Sequence, residues 1–321
     1  MSAPHPEISI VIPTYNESEN ILSVLSEIKE VMDNIDRPYE IIVVDDGSTD
    51  GTLEVLKKNL STFPNLRIIR LTRNFGQHPA IYAGFNYSRG KIIVTIDADG
   101  QNPPSEIPRL IQTLEEGNYD FVQGWRKERK GTSIRKIFSR IVNWTISKIT
   151  RSNLKDIGCG MACFTKSTTQ KLLQASHHFR YIPAEVAWMG LKVYSLPISQ
   201  RERVKGKSRY RVWSLFWVNF DIIASISTLP VEVIGFIGVI FSLIGFAMGT
   251  RILLRRILWG LTYNDMATVT ALFFFLVGVQ ILCTSVLCAY ISRTYREVQH
   301  RPYYIVQQVM ESYQNENRTD E

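Results

Sequence analysis

Cysteine is scarce in this chain, with four in 321 residues. Cys159 and Cys163 have three residues between them, and Cys283 and Cys288 sit inside an apolar stretch. That pattern suits neither a disulfide framework nor paired CxxC zinc spacing, so the four read as packing residues. The five histidines, His5, His78, His177, His178 and His300, show no ligand spacing either, which argues against a zinc site. No GxGxxG follows the first strand-like run and no GxxxxGK[ST] occurs anywhere, so dinucleotide folds and P-loop folds both lose ground. No repeat or low-complexity tract is present. The polar, proline-containing start, Met1 to Glu7, predicts no cleaved leader.

What is present is a composite. Lys and Arg number 37 against 30 Asp and Glu, a net charge of +7, and a 45% hydrophobic share rules out disorder. A mean hydropathy near zero averages a polar first two thirds with a C-terminal third that holds two long uncharged runs. Val233–Thr250 carries no charge and the apolar stretch continues past Arg251 to Leu254; Met266–Ile291 carries none either. Each is long enough to cross a hydrocarbon core about 30 Å thick, which predicts transmembrane helices near 233–254 and 267–291. Buried core helices are the alternative, but globular helices rarely stay uncharged for so long. Arg201, Arg203, Lys205, Lys207, Arg209 and Arg211 precede the first run, and Arg293, Arg296 and Arg301 follow the second. By the positive-inside rule both flanks face the cytoplasm, against a weaker contrary cluster of Arg255 and Arg256. The expectation is a multi-pass protein of the inner membrane. Because the positive excess is concentrated beside these runs, a nucleic-acid partner is unsupported.

The first half alternates β-branched runs with helical patterns: Ile8–Ile12, Ser18–Asp33, Glu40–Val44, Thr49–Leu60, Leu66–Leu71, Pro79–Tyr87 and Ile92–Ile96. Near-continuous apolar strands joined by amphipathic helices specify a mostly parallel sheet covered on both faces, with ligands beyond the carboxyl ends of the strands. Two later stretches, 133–148 and 212–230, place Trp144, Trp213, Phe216 and Trp217 among helically spaced apolar and basic residues, and read as helices lying on the bilayer, with helices packed on the sheet as the alternative. The resulting division is a cytoplasmic α/β domain over 1–211, an interfacial helix over 212–230, a two-helix hairpin over 231–292 and a C-terminal tail over 293–321.

Three polar clusters fall at strand ends: Pro13-Thr14-Tyr15-Asn16-Glu17, Asp45-Asp46-Gly47-Ser48 and Asp97-Ala98-Asp99. Asp97 and Asp99 make a hard-oxygen donor pair suited to Mg²⁺ or Mn²⁺, with Gln101 placed to add an amide oxygen. In isolation such a tripeptide is as compatible with a solvated turn, and Asp45 and Asp46 as compatible with helix capping.

In this order and near this spacing, the three clusters resemble family 2 glycosyltransferases. The likeness extends to Arg73-Asn74-Phe75-Gly76-Gln77-His78, to Asp97–Pro104, to Asp156-Ile157-Gly158-Cys159, to Arg203–Tyr210 and to Arg301–Gln308, which together resemble the polyprenyl-phosphate group of that family over almost the whole chain. Within the group the pattern is nearest to the branch acting with 4-deoxy-4-formamido-L-arabinose, with glucosyl and mannosyl branches more distant. The resemblance implies a GT-A fold, a Rossmann-like mostly parallel sheet with interfacial helices and a transmembrane hairpin. It implies that Pro13, Tyr15, Glu17, Asp46 and Asp97 line the nucleotide-sugar site, that Asp97, Asp99 and Gln101 hold the cation, and that Asp156 and Asp99 are catalytic. Arg126, Arg129, Arg203 and Arg209 would bind the acceptor phosphate. The partners implied are a nucleotide sugar, polyprenyl phosphate and the lipid bilayer, with a homotetramer by analogy. The chain departs from the group's pattern at Gly100, where Leu is usual, and at Ala162, near where Arg is common. A processive polysaccharide synthase of the same fold is disfavoured by the absence of Gln-x-x-Arg-Trp. A non-catalytic membrane scaffold would have no reason to keep the acidic and nucleoside residues together.

Overall fold

The computed structural model describes residues 5–126, 159–175, 182–201 and 302–311, with scattered positions between 254 and 298. Strands that lie inside a parallel sheet are covered on both faces and need apolar residues throughout rather than at alternate positions. The first strands meet that demand: β1 (Ile8–Thr14), β2 (Tyr39–Asp45), β3 (Leu66–Leu71) and β4 (Ile92–Thr95) are buried along almost their whole length. These four are mutually parallel, in the order β4-β1-β2-β3.

Helix α1 (Ile21–Asp33) lays Ile21, Val24, Leu25, Ile28 and Met32 on one face of the sheet, a spacing of three and four residues that makes a single apolar stripe. Helices α2 (Thr52–Lys58) and α4 (Ile107–Glu116) add Leu53, Leu56, Leu110 and Leu114 to the same core. Helix α3 (Gln77–Tyr87) is different: every residue from Pro79 to Phe85 is buried, so it has no strongly polar side. It covers the opposite face, with Phe85 edge-on to Phe164 at 5.0 Å.

The other half of the sheet breaks the parallel rule. β5 (Phe121–Arg126) and β7 (Val193–Ile198) run parallel to each other, while β6 (Ala162–Thr165) lies antiparallel between β5 and β4. Helices α5 (Lys166–Ala175) and α6 (Ile182–Trp188) connect these strands. Among the described residues the order is β7-β5-β6-β4-β1-β2-β3-β8, an eight-stranded mixed sheet. Its last strand, β8 (Val306–Glu311), comes from the C-terminal tail and pairs antiparallel with β3. Glu311 on β8 meets Arg67 Nε at 2.8 Å and Arg89 Nη2 at 3.1 Å. Cys159 and Cys163 are buried and form no disulfide with each other, as packing residues should be.

The chain divides into two compact units, one of Met1–Ser225 with Pro302–Glu321 and one of Ile226–Arg301. In the second, the described positions are helical and include exposed large apolar side chains such as Leu254, Ile257, Val269, Phe273 and Leu287. Among the described residues no helix is long and apolar enough to cross a membrane. The interfacial helices expected at 133–148 and 212–230, and most of the two expected spans, lie outside the described residues.

Candidate active site

Parallel strands share an edge at which all their carboxyl ends emerge, and the register puts the ends of β1, β2, β4 and β5 there together. Thr14 pairs with Asp45, so the first two polar clusters leave the sheet side by side. They are stitched to each other by hydrogen bonds. Asn16 N donates to Ser48 Oγ at 2.9 Å, Thr49 N to Asn16 Oδ1 at 2.8 Å, and Glu17 N to Thr52 Oγ1 at 3.0 Å. Asn16 adopts a left-handed φ of 55° to do this, a conformation that asparagine tolerates better than most residues. Pro13 is half-buried at the end of β1, Tyr15 stands out from the rim at 37% exposure, and Glu17 Oε2 accepts from Asn20 Nδ2.

Asp45 and Asp46 are both buried. Asp45 Oδ1 accepts from Ser48 N at 3.1 Å. Asp46 sends its two oxygens to the next loop, where Oδ1 accepts from Phe75 N at 2.7 Å and Oδ2 from Gly76 N at 2.8 Å. Burial pushes the Asp46 carboxyl up to about 6; the two backbone donors pull it down, and neighbouring Asp45 pushes it up again. Asp46 thus shapes the Arg73–Gly76 loop that leads into α3.

Asp97 and Asp99 follow β4, on the other side of β1, and are half-buried rather than enclosed. Gln101 N donates to Asp99 Oδ1 at 3.1 Å, closing a tight turn in which Gly100 takes a φ of 70°. That left-handed value suits glycine and disfavours a side chain at this position. Asp97 is bonded by Gln77 Nε2 at 2.7 Å and approached by Asn102 Nδ2 at 3.4 Å. Among the described residues no three His, Cys, Asp or Glu side chains cluster as a self-sufficient metal site. Two carboxylates on one turn instead fit a hard cation whose coordination is completed by a ligand's phosphates and by water.

Gln101 has its side chain turned to another segment: its Oε1 accepts from Gln200 Nε2 at 2.9 Å, and its carbonyl accepts from Arg201 N at 2.9 Å. Glu106 accepts from both Ser199 N and Ser199 Oγ in the same stretch. The chain leaving β7 is therefore moored to the acidic turn at the point where the basic run begins. Arg126, the last residue of β5, is half-buried at the same sheet edge. Asp156, Arg129, Arg203 and Arg209 lie outside the described residues.

Beside Asp97 a cavity of about 70 Å³ is lined by Gln77, His78, Ile81, Gly160, Ala162 and Pro183, among others. His78 Nδ1 is shut off from solvent, and burial drives the ring down to about 4, so it is neutral at physiological pH. Behind it, Tyr82 donates to the buried Glu185 and stacks edge-on to Tyr303 at 5.2 Å. Burial pushes Glu185 up to about 7. Gln77, Asn102 and Gln200 had no assigned role in the sequence reading; Gln77 and Asn102 sit inside blocks singled out there, whereas nothing local marks Gln200.

Comparison with known proteins agrees with this arrangement. The family description "Glycosyl transferase family 2" fits residues 9–174. An undecaprenyl-phosphate 4-deoxy-4-formamido-L-arabinose transferase from Edwardsiella ictaluri is 33% identical over 311 residues, covering 96% of this chain and 95% of its own. One of the same description from Yersinia pestis is 34% identical over 324 residues, covering 100% and 98%. Glucosyl-3-phosphoglycerate synthase from Mycobacterium tuberculosis, solved in complex with Mn²⁺, uridine diphosphate and phosphoglyceric acid, superposes with a TM-score of 0.52 at 19% identity, covering 68% of this chain and 77% of that one. At that identity the likeness concerns the fold, a GT-A α/β arrangement.

Proposed function

Because the chain belongs to glycosyl transferase family 2, we propose that it moves a single sugar from a UDP-linked donor to the phosphate of undecaprenyl phosphate. The transfer takes place at the cytoplasmic face of the inner membrane and inverts the anomeric centre. The observation that carries this reading is the mooring of Gln200 and Arg201 to Gln101, which brings the start of the basic run against the acidic turn. An acidic site for a cation and a basic site for a phosphate then share one edge of the sheet.

The residues divide the work. Pro13, Tyr15 and Glu17, on a rim stiffened by Asn16, Ser48 and Thr52, receive the nucleoside, with Asp46 holding the adjoining loop. Asp97 and Asp99 hold Mg²⁺ or Mn²⁺, which when bound neutralises the negative charge that accumulates on the leaving diphosphate. The Mn²⁺ and uridine diphosphate bound by the mycobacterial synthase support this assignment. The acceptor phosphate has a second pKa of about 6 and is already a dianion at neutral pH, so it needs positioning more than deprotonation. Arg126 at the end of β5, with Arg129, Arg203 and Arg209, supplies the positive charge that lets the dianion approach a diphosphate. Asp156 is the acidic candidate for assisting attack.

Residues 226–301 carry the membrane anchor. The chain leaves the α/β unit before Ile226 and returns to it at Pro302, where β8 joins the same sheet. A segment whose two ends belong to one water-soluble unit crosses a bilayer an even number of times, as a hairpin does. The large apolar side chains exposed at Leu254, Ile257, Phe273 and Leu287 suit lipid contact.

The test is to incubate the purified full-length protein with undecaprenyl phosphate, Mg²⁺ or Mn²⁺ and a panel of nucleotide sugars, and to weigh the lipid product. A mass increase of one sugar residue is the expected result. A ladder of several sugars would favour a polymerising enzyme, and absence of any lipid product with every donor would overturn the acceptor assignment.

A further inference from the structure

The Asp97 carboxylate is gripped by residues outside the acidic tripeptide. Gln77 Nε2 donates to Oδ1 at 2.7 Å, and Asn102 Nδ2 lies 3.4 Å from Oδ2. Beneath it runs Gly160, so close that a methyl group there would stand 2.0 Å from Oδ2 and 2.2 Å from Oδ1. Such distances are impossible between real atoms, so any side chain at Gly160 has to evict the carboxylate from its present position.

Gln77 is itself placed with care. It is the first residue of α3, directly after Gly76, whose N–H is held by Asp46 Oδ2. A continuous line of contacts therefore runs from the second strand end through the loop to the fourth: Asp46 to Gly76, Gly76 to Gln77, Gln77 to Asp97. The terminal torsion of an aspartate is soft, and an amide donor on one oxygen fixes the plane of the carboxylate. A carboxylate offers about four lone-pair sites, so one such bond is compatible with cation ligation.

We propose that Gln77 and Gly160 are positioning residues for the divalent cation, Gln77 by fixing the orientation of Asp97 and Gly160 by leaving the space in which that orientation exists. This rests on Asp97 being a cation ligand. Partners that orient a metal ligand typically contribute 10–100-fold in metal affinity.

The experiment titrates Mn²⁺ into full-length protein saturated with UDP and follows the heat of binding, alongside UDP binding without metal and a thermal melt. Gln77→Ala is expected to weaken Mn²⁺ binding about 10–100-fold while leaving metal-free UDP binding and the melting temperature nearly unchanged. Gly160→Ala is expected to weaken it at least as much. Should Gly160→Ala fail to fold, Gln77→Ala decides alone. Wild-type Mn²⁺ affinity in Gln77→Ala, with Asp97→Asn impaired, would overturn the positioning role and leave the metal site standing. Wild-type affinity in Asp97→Asn would remove the metal assignment itself.

Discussion

Two acidic pairs sit at the ends of β2 and β4, on either side of β1 in one sheet, and their surroundings differ. Asp45 and Asp46 are buried, and Asp46 spends both oxygens on the backbone N–H groups of Phe75 and Gly76. Asp97 and Asp99 are half-buried on a turn that Gln101 N closes onto Asp99, with side-chain amides rather than a backbone loop on Asp97. In sequence the two pairs look alike. What separates them is where their oxygens go: both oxygens of Asp46 are taken by backbone donors of the adjoining loop, whereas the half-buried Asp97 meets side-chain amides, an arrangement compatible with a cation ligand.

Substitutions can break that distinction or sharpen it. The largest effect is expected at Asp97→Asn and Asp99→Asn, each lowering transfer by roughly 10²–10³-fold or more while the melting temperature stays close to wild type. Asp46→Ala should show the opposite balance, losing about 2–4 kcal/mol in denaturant unfolding because two buried N–H groups lose their acceptor. If Asp97→Asn unfolds the protein and Asp46→Ala does not, the division of labour is wrong.

A third buried carboxylate extends the contrast. Glu185 has one oxygen on Tyr82, while Oε1 finds no partner among the described residues, and burial lifts its pKa to about 7. The folded protein therefore binds this proton more tightly than the unfolded chain does, so its contribution to stability is full below the unfolded value near 4.5 and is lost as pH rises through about 7. Wild-type stability should fall between pH 5 and pH 8 by an amount on the order of 2–3 kcal/mol from this group. Glu185→Gln should remove that part of the slope, leaving a same-sign part from Asp46 near 6 that the buried, neutral His78 offsets with a part of opposite sign. An unchanged slope in Glu185→Gln would show that the carboxyl is not neutralised in the fold.

The smallest effect belongs to Glu311, whose carboxylate pins β8 to Arg67 and Arg89 at the sheet edge. Arg67 keeps Glu40 and the Tyr87 carbonyl, so Glu311→Ala should cost only about 1–2 kcal/mol. Faster amide exchange across 306–311 is the sign to look for.

The parallel half of the sheet was legible because both-face burial writes itself as unbroken apolar runs, and Leu66–Leu71 matches its strand end to end. Helix starts were less legible. Ser18 and Thr49 pattern as helix, but Ser18 N bonds Asp50 and Thr49 N bonds Asn16, so these residues are drawn into the rim and α1 and α2 begin later. The antiparallel strands escaped notice for another reason. β6 is only four residues long, and β8 is a polar edge strand whose partner lies at the far end of the chain, so neither carries a local hydrophobic signature. In the site, the pairing of Asp97 with Asp99 on one turn is visible in the sequence, whereas the Asp46 loop contacts and the Gln77–Asp97 bond depend on backbone placement that no spacing rule encodes.

The most direct measurement strips the purified protein with chelator, restores Mg²⁺ or Mn²⁺ stepwise, and follows sugar transfer to undecaprenyl phosphate in wild type and in the double variant Asp97→Asn, Asp99→Asn. Wild-type transfer should vanish with chelator and return with metal, while the folded double variant stays inactive at every metal concentration. Full transfer by the stripped wild type, or metal-restored transfer by the double variant, would contradict the account.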